Sequence, residues 1–281
     1  MHIGCHVSIR KGFLEAAKTA RRLGGTSFQY FPKNPRSLAT KTLVRRDAEA
    51  CSAYCREHGI ASVAHAPYPT NLAAEEGERR QTVVRSLLND LEIAEACGSV
   101  GVVVHFGIYK GGDRLQGYKN IIGTLNEVLQ AWDGSALVLI ENQAGEHARM
   151  GITLEELVGI RRLCRKPESV GFCLDTCHAF ASGLWRGDDW AELEQKGKEI
   201  GYFERLKAVH LNDSVYPYRS YKDRHANIGT GEIGAASFRK LLRSPFVRDI
   251  PIVLETPVSD RYTYADEIRD VKRMMQGRRT D

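Results

Sequence analysis

The sequence has no apolar run long enough to span a bilayer. The longest, such as Val100–Val104, fall far short of the ~20 residues that a membrane helix needs. Met1-His-Ile-Gly-Cys5 also lacks the basic and then apolar stretch of a secretory leader, so a cytoplasmic setting is expected. Cysteine is too irregular for a disulfide framework. Its seven residues, an odd number, read as free thiols in a reducing compartment. Cys51/Cys55 and Cys173/Cys177 share an i,i+4 spacing. The first pair falls in an expected helix, where small thiols pack, and the second lies at a strand end; neither is taken as a metal ligand. No linker, low-complexity segment or shift of composition divides the 281 residues. Nor is there a large excess of one charge: the net value of +5 permits a polyanionic partner without demonstrating one.

What is present is a repeat of short apolar strand, loop and amphipathic helix. Strands are expected at His2–Val7, Thr26–Phe31, Ile60–His65, Val100–His105, Ala136–Glu141, Val170–Asp175, Leu206–Leu211 and Pro251–Glu255. The clearest helix is Arg79–Cys97, with Val84, Leu87, Leu88, Leu91 and Ala94 on one face. Others are expected near Gly12–Leu23, Arg46–His58, Tyr118–Trp132, Leu154–Cys164, Asp189–Phe203, Ala235–Leu242 and Tyr262–Met275. Gly101-Val-Val-Val104 and Leu137-Val-Leu-Ile140 are apolar on both faces, as parallel strands covered by helices should be. The expected fold is a single-domain (β/α)8 TIM barrel over residues 1–281, with a doubly wound open sheet as the alternative.

The strand ends carry the chemistry. Strand six runs into Asp175, and His178 follows three residues later. The other expected strands from three to eight end on or beside His65, His105, Glu141, His210 and Glu255. One strand-end carboxylate is ordinarily a helix cap, and one histidine a hydrogen-bonded rim group. Six such residues on consecutive strands converge on one barrel mouth, where the carboxylates repel unless protonated or bound to cations. His178 and the Asp223-x-His225 pair add a three-ligand set with a fourth position open, as in catalytic zinc sites. The other six donors suffice for two more ions with a shared carboxylate. Nine donors divided three ways argue for a trinuclear centre, a device suited to phosphoester hydrolysis.

These residues also carry a resemblance. The chain resembles bacterial endonuclease IV, a zinc-dependent family that cleaves DNA at abasic sites. The matching stretches run nearly end to end: Gly4-Cys-His-Val-Ser8, Phe31-Pro-Lys-Asn34, His65, His105, Glu141-Asn142, Leu174-Asp-Thr-Cys-His-Ala179, His210-Leu-Asn-Asp213, Asp223-Arg-His225, Gly229-x-Gly-x-Ile-Gly234 and Leu254-Glu-Thr256. The resemblance implies three Zn2+ per chain. His65, His105 and Glu141 would hold the first ion. Glu141 would bridge to the second, completed by Asp175, His210 and Glu255. His178, Asp223 and His225 would hold the third. It implies hydrolysis 5′ to the abasic sugar of double-stranded DNA, with Glu141 and Glu255 in catalytic positions and a 3′-hydroxyl as product. It further implies that Arg36, Tyr68 and Pro69 contact DNA at the lesion, Pro69 standing where the family has leucine. The loop Phe106–Asp113 departs from the family's Pro-Gly-Ser-like loop.

Lys33, Lys110, Arg114, Arg149, Arg219 and Arg224 fall on mouth-side loops and are expected to be available to phosphates. A monomer is expected. The rival is a sugar isomerase or epimerase resembling xylose isomerase, which would use Glu141, Asp175, His210 and Glu255 alone. A DNA-binding branch without turnover is a third reading, opposed by the intact Glu141 and Glu255.

Overall fold

Alternation of β-rich runs with amphipathic segments produces a closed barrel. The computed structural model describes residues 1–276; residues 277–281, included in the expected domain, lie outside the described residues. In chain order the strands are β1 (His2–His6), β2 (Ser27–Tyr30), β3 (Ala61–His65), β4 (Gly101–His105), β5 (Leu137–Glu141), β6 (Val170–Asp175), β7 (Leu206–His210), β8 (Asp213–Ser214), β9 (His225–Ala226) and β10 (Pro251–Leu254). β1 to β7 and β10 pair in parallel and close between β10 and β1, while β8 and β9 form a separate antiparallel pair. The helices are α1 (Phe13–Arg22), α2 (Arg45–His58), α3 (Glu78–Ala96), α4 (Arg114–Ala131), α5 (Leu154–Leu163), α6 (Thr176–Ser182), α7 (Trp190–Glu199), α8 (Ala235–Leu241) and α9 (Tyr264–Met275). No helix among the described residues is long and apolar enough to cross a membrane.

Glycine sets the β1–β2 approach. A Cβ on Gly4 would lie 1.6 Å from the Ser27 carbonyl oxygen, so no other residue fits there. Inside the barrel, Val63, Val103, Leu139, Cys173, Ala208 and Val253 form a fully buried apolar plug, separate from the larger core beneath the helices. Side chains along a strand face alternate sides, so the residue two positions beyond each plug residue also faces inward. Those residues are His65, His105, Glu141, Asp175, His210 and Glu255. The same fold therefore buries the plug and gathers the donors at the carboxyl end of the barrel.

Several boundaries shift from the sequence expectation, and three differences bear on the site or its loops. β7 stops at His210 rather than Leu211, which makes that histidine a strand-end residue like its neighbours. α4 begins at Arg114 rather than Tyr118, because the Asp113 carboxylate accepts the Leu115 N–H at 2.9 Å and caps it. α6 was not expected. It starts where Asp175 Oδ1 accepts the His178 N–H at 2.7 Å and stops at the left-handed Gly183. Asp175 is thus both helix cap and cavity carboxylate, two roles that the sequence presents as alternatives.

Candidate metal centre

Glu141, the last residue of β5, stands at the middle of the cavity. Its Oε2 lies 3.6 Å from His65 Nε2 and 3.4 Å from His105 Nε2, and its Oε1 lies 2.9 Å from His210 Nδ1. His210 Nδ1 is also 3.2 Å from Glu255 Oε2 and 3.9 Å from Asp175 Oδ2. On the outer side, Asp223 lies between two rings: Oδ2 is 3.2 Å from His178 Nε2, and Oδ1 is 3.2 Å from His225 Nε2. Donor atoms approach within 4.8 Å of one another in the sets His65/His105/Glu141, Glu141/Asp175/His210 and His178/Asp223/His225. All nine donors read from the sequence therefore lie in one cavity. Cys177 also comes near Asp175 and His225. Its thiol donates to the Arg224 carbonyl at 3.6 Å, and burial pushes its pKa up to about 12, so it remains a protonated thiol.

The donor set fits divalent cations. His65 Nδ1 faces the Ala66 carbonyl at 2.7 Å, His178 Nδ1 the Asn142 carbonyl at 2.9 Å, and His225 Nδ1 the Glu255 carbonyl at 3.1 Å. A carbonyl only accepts, so each Nδ1 carries a proton and each Nε2 is the nitrogen left for an ion. Glu141 Oε2 and His225 Nε2 are buried without a hydrogen-bond partner among the described residues. An orphaned carboxylate oxygen in a buried cavity is costly unless a cation meets it.

The electrostatics agree. Burial pushes the Glu141 carboxyl up, but His210 and His105 hold it well below the ordinary carboxylate range. Burial opposes ionisation of Glu255 too, yet His210 and His65 bring it down to about 2. Burial pulls His225 down, and the Asp223 and Asp175 carboxylates push it up to about 9. Glu141 and Glu255 stay charged, burial pulls His105 down to about 4, and the second proton that His225 holds is one that a metal ion would displace.

A polar frame holds these groups. Asn212 Nδ2 donates to Asp175 Oδ2 at 2.7 Å, while its Oδ1 accepts the Glu255 N–H at 2.9 Å. Asn142 Oδ1 accepts the Asp175 N–H at 2.8 Å. The fully buried Asp213 accepts from the backbone N–H groups of Gly229, Gly231 and Ile233 at 2.9, 3.1 and 2.9 Å. A Cβ on Gly231 would lie 2.4 Å from the Ser214 carbonyl oxygen, which accounts for glycine there. This loop braces the β8–β9 pair, and β9 carries His225.

Two members of the inward layer were missed in the sequence. Gln29 on β2 donates from Nε2 to Glu255 Oε1 at 2.6 Å and accepts from His210 Nε2 at 2.7 Å. His6 on β1 lies 3.3 Å from the same amide. The available signal was the period of two in Ser27-Phe-Gln-Tyr30, where the polar Ser27 and Gln29 alternate with the aromatic Phe28 and Tyr30.

Comparison with known proteins decides the family. A family model described as "Xylose isomerase-like TIM barrel" matches residues 17–277. A relative from Symbiobacterium thermophilum, named "Probable endonuclease 4", is 44% identical over 98% of this chain and 100% of its own length. This chain belongs to the endonuclease 4 family. The crystal structure of endonuclease IV from Thermus thermophilus superposes with a TM-score of 0.84 at 33% identity, covering 98% of this chain and 99% of that one. A D-tagatose 3-epimerase-like protein superposes with a TM-score of 0.72 at 21% identity, covering 98% of each chain, a likeness of fold alone.

The mouth of this endonuclease 4 chain is bordered by the three residues expected to contact DNA. Arg36, Tyr68 and Pro69 are exposed on adjoining loops, joined where the Tyr68 N–H meets the Pro35 carbonyl at 2.9 Å. The Tyr68 ring packs on Phe31 at 5.1 Å, and Phe31 packs on His65 at 5.4 Å. Tyr68 also lines two adjoining cavities of about 790 and 390 Å³ that meet at His105.

The expectation for the basic side chains is corrected for Lys33, while Arg114, Arg149, Arg219 and Arg224 are exposed and each has a local partner. Lys33 is not on the surface: its Nζ is buried against Asp90 Oδ1 at 2.6 Å and the Ser86 carbonyl at 2.7 Å, anchoring the Arg36 loop to α3. Arg114 is held by Tyr118, Glu156 and the Arg149 carbonyl. Arg149 stacks on Tyr221, Arg219 lies over Tyr218, and Arg224 binds the Asp223 carbonyl. Lys110 lines the larger cavity. A cation on a loop finds a local partner as readily as a ligand, and sequence position does not distinguish the two.

Proposed function

We propose that this chain is a zinc-dependent DNA-repair endonuclease. It hydrolyses the phosphodiester bond 5′ to an abasic site in double-stranded DNA, leaving a 3′-hydroxyl and a 5′-deoxyribose phosphate. The observation that carries this reading is the surplus of donors. A one- or two-metal sugar isomerase would be served by Glu141, Asp175, His210 and Glu255. Here His65, His105 and His178 also crowd Glu141, while Asp223 stands against His178 and His225 against Asp175. His65, His105 and Glu141 would hold one Zn2+; Glu141, Asp175, His210 and Glu255 a second; His178, Asp223 and His225 a third. When bound, such ions polarise the phosphoryl oxygens, activate water and neutralise the leaving oxygen.

The chain's own groups define how substrate meets this centre. The Glu141 side chain is only 1% exposed, whereas those of His105 and Asp223 are 37% and 41% exposed. The scissile phosphate therefore enters across the His105–Asp223 side. Four carboxylates facing three divalent ions leave net positive charge for it to meet. Tyr68, between the two cavities, fills the gap left by the missing base, with Arg36 and Pro69 beside it. The abasic nucleotide turns out at small cost because it has no base to unstack. The nine donors make a complete set without a residue from a second subunit, in keeping with action as a monomer.

Metal analysis tests this reading. Protein isolated without chelator should carry close to three zinc ions per chain, whereas one or two manganese ions together with sugar isomerisation would transfer the assignment to the rival. Replacing Tyr68 by Ala should weaken binding of abasic duplex about 10-fold or more while leaving intact duplex nearly unaffected, since a stacking aromatic contributes about 1–3 kcal/mol. Equal losses on the two duplexes would argue against the wedge.

A further inference from the structure

We propose that Gln29 is a positioning residue for the second ion, setting the ring tautomer of His210 and the rotamer of Glu255 together. This rests on the reading above that His210 and Glu255 hold an ion.

Gln29 is fully buried on β2, between the apolar residues Phe28 and Tyr30. Nothing in that strand's packing calls for an amide. Its polar atoms are all engaged: Nε2 donates to Glu255 Oε1 at 2.6 Å and approaches His6 Nδ1 at 3.3 Å, while Oε1 meets His210 Nε2 at 2.7 Å. The order of these contacts is forced. The charged Glu255 carboxylate only accepts, so the amide nitrogen must face it. The amide oxygen then faces the ring, so His210 Nε2 must carry a proton. That leaves Nδ1 as the nitrogen for the ion: it lies 2.9 Å from Glu141 Oε1 and 3.2 Å from Glu255 Oε2, and a proton shared there with Glu141 is the one that an ion would displace. With Oε1 tied to Gln29, Glu255 presents Oε2 to the same point. One amide thus sets two donors that come from different strands, β7 and the end of β10. His65, His178 and His225 take their orientation from backbone carbonyls, whereas His210 takes its own from this side chain.

The test is zinc titration against a competing chelator, with the unsubstituted protein beside Gln29→Met and Gln29→Glu. Methionine keeps the length and removes every polar atom. Glutamate keeps an acceptor for His210 Nε2–H and sets a like charge against Glu255. In Gln29→Met one of three zinc ions should bind about 10–100-fold more weakly, the usual effect of losing such an outer partner, with the other two little changed. Nitrogen NMR of the His210 ring should show the Nε2–H form in the unsubstituted protein and in Gln29→Glu, and a mixture of forms in Gln29→Met. Cleavage by Gln29→Met should recover with excess zinc at unaltered KM for DNA.

Equal weakening of all three ions, or an unchanged zinc profile with only a lower melting temperature, would mean that Gln29 merely packs and would overturn the proposal. An unsubstituted protein that binds no zinc at all would overturn the metal-centre reading itself, and the proposal with it.

Discussion

Replacing Glu255 by Gln should lower cleavage by on the order of 10³-fold, the scale of losing one electrostatic contact to the transition state, while the barrel stays folded. Glu255 lies just past β10, and its side chain is 20% exposed, so the exchange disturbs no packed core. The isosteric amide still fits beside Gln29 and His210. What disappears is a negative charge and one anionic donor facing His210 Nδ1 at 3.2 Å. The rim residues Arg36, Tyr68 and Pro69 are untouched, so affinity for abasic duplex should remain within a few-fold. Single-turnover cleavage at saturating protein, with fluorescence anisotropy for binding, separates the two effects. Near-normal cleavage by this variant would remove Glu255 from the catalytic set.

Replacing Lys33 by Met should cost about 3–5 kcal/mol of stability at neutral pH, the scale for breaking a buried ion pair. Lys33 and Asp90 side chains are 2% and 0% exposed, and Asp90 Oδ2 already lacks a partner among the described residues. Burial pushes the Asp90 carboxyl up to about 7 even with Lys33 pulling it down, so without Lys33 it rises further. A carboxyl whose folded pKa exceeds its unfolded value of about 3.9 contributes stability below that value and loses it as pH climbs through the folded pKa. The variant's deficit should therefore be smallest near pH 4–5 and largest above pH 7. The companion change Asp90→Leu should recover most of it. Urea midpoints at several pH values check this, and a deficit independent of pH would show that Asp90 is not the group left stranded. Because Lys33 ties the Arg36 loop to α3, the variant should also weaken DNA binding.

The barrel was legible because strand periodicity and helix amphipathicity are local. Gly101-Val-Val-Val104 cannot be a half-exposed strand, and Arg79–Cys97 has one apolar face. The donors were legible for the same reason: His65, His105, Glu141 and Asp175 stand two residues beyond Val63, Val103, Leu139 and Cys173, so the rule that buries the plug aims the donors. Contacts between distant segments were not legible. Gln29 is 181 residues from His210 and 226 from Glu255. Asp213 reads as one more acid until the loop Gly229–Gly234 closes around it. Lys33 reads as a phosphate ligand because a sequence shows the charge of a lysine but not Asp90 on the helix above it. α6 was hidden because seven residues are too few to show a helical period.

The most direct test of the central claim uses a duplex oligonucleotide with one tetrahydrofuran abasic analogue, which cannot undergo β-elimination. Zinc-loaded protein should cut on the 5′ side of the analogue and leave a 3′-hydroxyl. Chelation should abolish the cut, and added zinc should restore it as the bound metal returns towards three ions per chain. A fully zinc-loaded protein that leaves this duplex intact would contradict the account.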